Sequence, residues 1–232
     1  MPVNQEANTS NICHATRVVN PFTVAVPLTL DNWWIERQNG FNARIRQGRV
    51  DYIFIGDSIT NAWETDGRQV WDRHFAPRNG VNLGTGGDQT QHVLWRLTHG
   101  NLDGISPKVA VLMIGTNNFD HNAVATPPAV AQGVAAIVAL LRTRLPGTKV
   151  LVYGIFPRSQ KPSAMRHDIL QANQIIHKLD DGRHVFYRDI GHRFIDANGD
   201  IPVELMPDYL HLSAKGYEIW ADALNQHLAE LE

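Results

Sequence analysis

Five short runs that are apolar almost throughout, Tyr52 to Ile55, Val81 to Leu83, Val109 to Ile114, Lys149 to Tyr153 and His184 to Tyr187, constrain this chain more than any other feature. A strand with one wet face alternates apolar and polar residues. A run without that alternation belongs to a strand covered on both faces, as in a parallel sheet between two helical layers. The stretches between the runs have helical spacing. In Asp31 to Gln47, the residues Trp34, Ile35, Phe41 and Ile45 recur near the helical period, with Asp31 placed to cap the start and Gly48 to end it. Val70 to Phe75, Gln91 to Thr98, Pro128 to Leu145, Met165 to Asp180 and Ser213 to Leu231 are the further helices. Strands alternating with helices predict an α/β fold with a doubly wound, five-stranded parallel sheet.

With 232 residues, 43% of them hydrophobic, the chain can bury one sizeable core, and one domain over residues 31–232 is expected. Residues 1–30, with Pro2, Pro21 and Pro27 and much Asn and Thr, read as an extended arm that wraps the domain or pairs with a partner. The 21 Lys plus Arg against 23 Asp plus Glu give a net charge of -2 without a basic block, so nothing points to nucleic acid or an anionic membrane. A single cysteine, Cys13, excludes an internal disulfide framework. Met1 to His14 lack the basic and apolar regions of a signal peptide, and no run approaches the roughly 20 apolar residues of a membrane span. The expectation is a soluble protein, cytoplasmic by default, with secretion left open in case a signal peptide had been removed.

In open parallel sheets ligands sit beyond the carboxyl ends of the strands. There the sequence places Gly56-Asp57-Ser58, then Gly84-Thr85-Gly86-Gly87-Asp88, then Gly115-Thr116-Asn117-Asn118, and later Asp208-Tyr209-Leu210-His211. A serine hydroxyl is a poor nucleophile until a base takes its proton, and it needs amide N–H groups nearby to hold the oxyanion that forms. Ser58 stands where a strand turns into a helix start, although capping is the commoner use of serine there. The Gly87 N–H and the Asn117 side chain are further oxyanion donors. Either alone reads as an ordinary turn residue, and their recurrence at successive strand ends raises the case. The spacing Asp208-x-x-His211 lets a carboxylate hold one ring nitrogen while the other faces a serine. Read as metal ligands, the same pair lacks further donors at ligand spacing. Gly84-x-Gly86 opens a dinucleotide fingerprint, but Gln89 stands in place of the third glycine. The Gly-x-Ser-x-Gly elbow also fails, because Thr60 stands where its last glycine belongs.

Taken in order, Gly56-Asp57-Ser58, Asn82-x-Gly84-x-Gly86-Gly87-Asp88, Gly115-Thr116-Asn117-Asn118 and Asp208-x-x-His211 resemble the four blocks of the SGNH, or GDSL, hydrolase family. Within it, the stretch from about Asp51 to His227 is most similar to the catalytic subunits of intracellular platelet-activating-factor acetylhydrolases, above all at Gly86 to Leu97, Pro107 to Asn118 and Leu210 to Tyr217. The resemblance implies a three-layer, flavodoxin-like α/β/α fold, no metal or organic cofactor, and hydrolysis of a small-molecule ester through an acyl-serine. It makes Ser58 the nucleophile, Asp208 and His211 the rest of the triad, and Ser58 N–H, Gly87 N–H and Asn117 the oxyanion hole. Ile59 and Thr116 then confine the acyl group to acetyl or similar length. A homodimer is implied by resemblance alone. The arm before Asp31 and the segment Asn61 to Arg78 depart from the pattern, which leaves open a carbohydrate O-acetyl esterase, with Trp33, Trp34, Trp63 and Trp71 as sugar platforms, and a non-catalytic binding or assembly module.

Overall fold

The computed structural model describes residues 19–120 and 124–232. The expectations placed on Met1 to His14, on Cys13 and on the first part of the arm lie outside the described residues. Five strands, β1 (Tyr52–Gly56), β2 (Gly80–Gly84), β3 (Val109–Met113), β4 (Lys149–Tyr153) and β5 (Val185–Arg188), form one sheet in the order β2-β1-β3-β4-β5, every pair parallel. Around it lie α1 (Asn32–Arg46), α2 (Ser58–Asn61), α3 (Arg68–His74), α4 (Thr90–Thr98), α5 (Thr116–Asp120), α6 (Pro127–Arg144), α7 (Ala164–Ile176) and α8 (Ala214–Leu231).

The strands are buried on both faces because successive side chains point to opposite layers. Ile53, Ile55, Ala110, Leu112, Val150 and Val152 pack against α1, α4, α6 and α7. Tyr52, Phe54, Val109, Val111, Leu151 and Tyr153 face α3 and α8, where Trp63, Phe75 and Trp220 fill the layer. This is the three-layer α/β/α arrangement expected from the uniformly apolar runs. The differences lie in short elements. Helices α2 and α5 have four and five residues, too few to show a helical period, and the segment expected as one helix to Asp180 leaves the α conformation after Ile176 and continues as a 3-10 turn to Leu179.

Register sets the site. Gly56 lies opposite both Gly84 and Met113, so the segments leaving β1, β2 and β3 emerge side by side at one edge. Among the described residues, no helix is long and apolar enough to cross a membrane.

The described part of the arm is tied to the same core. Asn20 donates its amide to the Ala129 carbonyl (2.8 Å) and accepts from the Phe22 amide (3.0 Å), while the Thr90 hydroxyl donates to the Phe22 carbonyl (3.0 Å). Phe22 is 1% exposed and packs with residues of α4 and α6. Further along, the Val26 amide donates to the Gln91 carbonyl, and Leu28 comes up against Gly87. An anchor of this kind carries stability. Phe22→Ala is expected to lower the free energy of unfolding by about 3 to 5 kcal/mol, the range for deleting a buried phenyl ring. Urea unfolding monitored by tryptophan fluorescence measures it, and a loss below about 1 kcal/mol would show that the arm merely lies on a domain that is complete without it.

Candidate active site

The chain leaves β1 through Asp57 and enters α2 at Ser58. This short helix sits hard on the end of β2: a Cβ at Gly84 would stand 2.3 Å from the Asn61 amide nitrogen, so only glycine fits beneath it. Asp57 is the cap. Its Oδ1 accepts the Ile59 amide at 3.0 Å, so Ser58 is not itself the capping residue and its hydroxyl is left for other work. As the first residue of α2, Ser58 also presents a backbone N–H with no intrahelical acceptor. The Tyr217 hydroxyl, from α8, donates to the Ile59 carbonyl at 2.7 Å and holds the turn from the opposite side.

His211 arrives from the segment preceding α8. Its Nε2 lies 2.8 Å from Ser58 Oγ and its Nδ1 2.6 Å from Asp208 Oδ2. A carboxylate only accepts, so Nδ1 carries the ring proton and Nε2 is the lone pair that receives the serine hydroxyl. The other oxygen, Asp208 Oδ1, accepts the amides of Leu210 (3.0 Å) and His211 (2.7 Å). Tyr209 takes a left-handed φ of 59° to close this turn. Partial burial works against the Asp208 charge, but the bonds from the His211 ring and from the two amides outweigh it and hold the carboxyl below the usual carboxylate value.

Gly87 and Asn117 come from the neighbouring strand ends. Gly87 has φ +77°, a left-handed conformation that glycine adopts without strain. Asn117, at the start of α5, does not fold back on its own backbone: Nδ2 donates to the Asp88 carbonyl at 3.0 Å, one residue beyond Gly87, which leaves a second N–H on the same nitrogen. Ile59 and Thr116 are both buried, Ile59 in the aromatic layer and Thr116 with its hydroxyl accepting from Arg158 at 3.4 Å. All seven residues singled out from the sequence thus stand at the carboxyl edge of β1, β2 and β3 or in the segment before α8. Of the tryptophans considered as sugar platforms, Trp34 and Trp63 are enclosed in the core, Trp71 packs against Phe54, and Trp33 is exposed.

Three residues beneath the site, two of them within the sequence motifs, have roles that the sequence did not assign. Asp88 and Arg96 form an ion pair (Oδ2 to Nε 2.7 Å) with neither side chain exposed. Asp88 Oδ1 accepts the Trp34 indole N–H (3.1 Å), and the guanidinium also donates to Asn101 Oδ1 (3.2 Å) and the Gly56 carbonyl (3.4 Å). The third is Asp57. Burial, opposed by the Ile59 amide and reinforced by the nearby Asp88 charge, pushes its carboxyl from 3.8 up to about 7, and its Oδ2 has no partner among the described residues. Below that pH the carboxyl beside Ser58 is neutral and does not oppose negative charge developing there.

The stability consequence has a definite sign. The folded state binds the Asp57 proton more tightly than the unfolded chain, so ionisation opposes folding. The Asp57 contribution to the unfolding free energy falls as pH rises from about 4 to about 7 and is flat above that, with a total of about 4 kcal/mol. Asp57→Asn keeps the capping oxygen and removes the titration, so it should lose less stability than the wild type between pH 5 and pH 8. Urea unfolding at the two pH values checks this, and equal losses would place the Asp57 carboxyl in its ordinary range.

The chain is similar to known proteins in sequence and in fold. The family model described as the GDSL-like lipase/acylhydrolase family matches residues 54–219. The chain is 36% identical over 202 residues to the platelet-activating factor acetylhydrolase IB subunit alpha2 of Rattus norvegicus, covering 87% of this chain and 86% of the relative. It is 36% identical over 202 residues to the alpha1 subunit of Homo sapiens, covering 87% and 85%. Among solved structures, a GDSL-like lipase from Bacteroides thetaiotaomicron superposes with a TM-score of 0.70 at 17% identity, over 85% of this chain and 98% of the other. The acetyl xylan esterase AlAXEase does so with a TM-score of 0.63 at 23% identity, over 76% and 98%. At those identities the likeness to solved structures shows the shared fold, whereas the family match and the curated relatives show descent and chemistry: the chain belongs to the GDSL-like, or SGNH, acylhydrolase family and is an ester hydrolase.

Proposed function

We propose that the protein hydrolyses short-chain, acetyl-type carboxylic esters through an acyl-serine intermediate. The observation that carries this reading is the unbroken line of bonds from Asp208 through His211 to Ser58, at 2.6 and 2.8 Å. As Ser58 Oγ attacks the ester carbonyl carbon, His211 Nε2 takes its proton, and Asp208 stabilises the imidazolium that results. The carbonyl oxygen becomes an oxyanion held by the Ser58 and Gly87 amides and the free N–H of Asn117. His211 then gives the proton to the departing alcohol oxygen, which leaves Ser58 acylated. A water that loses its proton to His211 attacks the acyl carbon, and Ser58 recovers its proton as the acid is released.

The alcohol departs on the His211 side, where a depression of about 400 Å³ is lined by Asp66, Pro207, Leu212 and Ser213. The acyl group points the other way, toward Thr116 and Ile59, and their burial supports a short pocket. Enclosure of Trp34 and Trp63 in the core removes two of the four tryptophans that a sugar ester could use, and the intact Ser58, His211 and Asp208 favour catalysis over a purely structural role.

Hydrolysis of p-nitrophenyl acetate, butyrate and octanoate tests the reading. Turnover should be fastest on acetate and disappear in Ser58→Ala. Rates that climb toward octanoate would overturn the short pocket, and equal, negligible rates in wild type and variant would overturn the esterase assignment. Asn117→Ala should lower kcat by roughly 10²-fold, about 3 kcal/mol of barrier, with KM little changed, because the lost donor acts on the oxyanion rather than on the ground-state ester.

A further inference from the structure

The nucleophile and the oxyanion donors are held at the ends of hydrogen-bonded strands, but Asp208 and His211 lie in an irregular stretch between β5 and α8. Beyond hydrogen bonds within the stretch, such as the Tyr209 amide to the Met206 carbonyl, it is held by a neighbouring loop. The segment after β4 runs through Arg158, Ser159 and Gln160, and the Ser159 amide donates to the Tyr209 carbonyl at 2.9 Å, inside the turn that joins Asp208 to His211. The Ile201 amide donates to the Gln160 carbonyl at 2.8 Å. Ser159 adopts φ 72° and Tyr209 φ 59°, left-handed conformations that non-glycine residues hold only when their surroundings impose them.

The imposing group is Arg166, in the first turn of α7. Its guanidinium donates to the carbonyls of Arg158 (3.2 Å), Ser159, Gln160 (3.3 Å) and Gly199, while its own amide donates to the capping Ser163 hydroxyl at 3.2 Å. Arg166 is 7% exposed, and its charge is answered by these carbonyl dipoles at hydrogen-bond distance and, at longer range, by the Asp200 carboxylate. The planar fork reaches four acceptors on two loops at once, which an ammonium on a flexible stem does not. The side chain of Arg158, on the same loop, meets Thr116 Oγ1 and Asp120, so this loop touches the acyl wall as well as the base.

We propose that Arg166 is a positioning residue for the base: it fixes the 158–160 loop, which in turn holds the Asp208–His211 turn in register with Ser58. The inference rests on the esterase reading for its kinetic half, and it has a second readout that does not. Arg166→Met and Arg166→Lys are compared with the wild type in three measurements: thermal unfolding, the pH dependence of p-nitrophenyl acetate hydrolysis, and the downfield NMR signal of the His211 Nδ1 proton shared with Asp208. The Lys variant, which keeps the charge and part of the hydrogen bonding, secures the comparison should the Met variant fail to fold.

The expected result is a kcat roughly 10- to 100-fold lower in the Met variant with KM little changed, and a smaller loss in the Lys variant. The acid limb of the rate profile should move relative to the wild type, because the base and its carboxylate no longer share one fixed geometry. The downfield proton signal should broaden or vanish in step. Folded variants that keep the wild-type kcat, acid limb and proton signal would overturn the inference. A wild type without ester turnover whose proton signal is still lost in the variants would instead overturn the esterase reading and leave the positioning role standing.

Discussion

The buried pair between Asp88 and Arg96 is the interaction on which the nucleophilic half of the site depends. Both side chains are wholly removed from solvent, and each reaches beyond the other. Asp88 takes the Trp34 indole from α1, and Arg96 reaches the last carbonyl of β1 and the Asn101 side chain. The end of β1 and the glycine loop, already joined by the Thr85 amide donating to the Gly56 carbonyl at 3.2 Å, are thereby tied together a second time beneath Ser58 and Gly87. A pair of this kind contributes little net stability, because the desolvation of two charges offsets most of their attraction. Breaking it is another matter, since one charge then stays buried without its partner. The pair therefore acts on geometry more than on stability: it leaves the glycine loop one arrangement, and the Asp88 carbonyl is the acceptor that orients the Asn117 amide.

At the neighbouring strand end a second buried carboxyl lacks such a partner. Asp57 is buried without a cation of its own, and the fold responds by keeping it protonated up to about pH 7 rather than by pairing it. Burial raises both carboxyls, which are adjacent in space, but only Asp88 has a guanidinium in reach to oppose the rise. The outcome suits an oxyanion site: the groups that face the serine are amide dipoles and a neutral acid, and the fixed negative charge of Asp208 stands behind the imidazole, where it stabilises the proton that His211 carries.

Much of this was legible in the sequence. The strands were, because burial on both faces leaves uniform apolar runs. So were Ser58, Gly87, Asn117, Asp208 and His211, because each sits in a motif at a strand end or just before a helix. Helices α2 and α5 were not, since four or five residues carry no period. Arg96 and Arg166, and the role of Asp57 within its motif, were missed for a different reason: a charged residue in a helix or turn ordinarily faces water, and only the tertiary structure reveals that these are buried. For Arg96 a signal was available in its neighbours. Val93, Leu94 and Leu97 surround it on one face of α4, and an arginine on an apolar face needs an internal acceptor, which Asp88, eight residues earlier, supplies. Arg166 had no such signal, because its acceptors are backbone carbonyls that any sequence provides.

The two halves of the site are consequently built on different physical footings. Ser58, Gly87 and Asn117 depend on strand register: Gly56, Gly84 and Met113 cannot shift relative to one another without breaking ladder bonds and turning every core side chain to the wrong face. Asp208 and His211 have no ladder, and their place is set by hydrogen bonds between irregular segments. A sheet tolerates loop change without moving its ends, whereas a loop held by other loops transmits a displacement in any one of them to the group it carries. In this fold the distance between Ser58 Oγ and His211 Nε2 is therefore governed from the base side. Sequence changes in the segments after β4 and β5 will alter proton transfer while leaving the oxyanion donors where the sheet has put them.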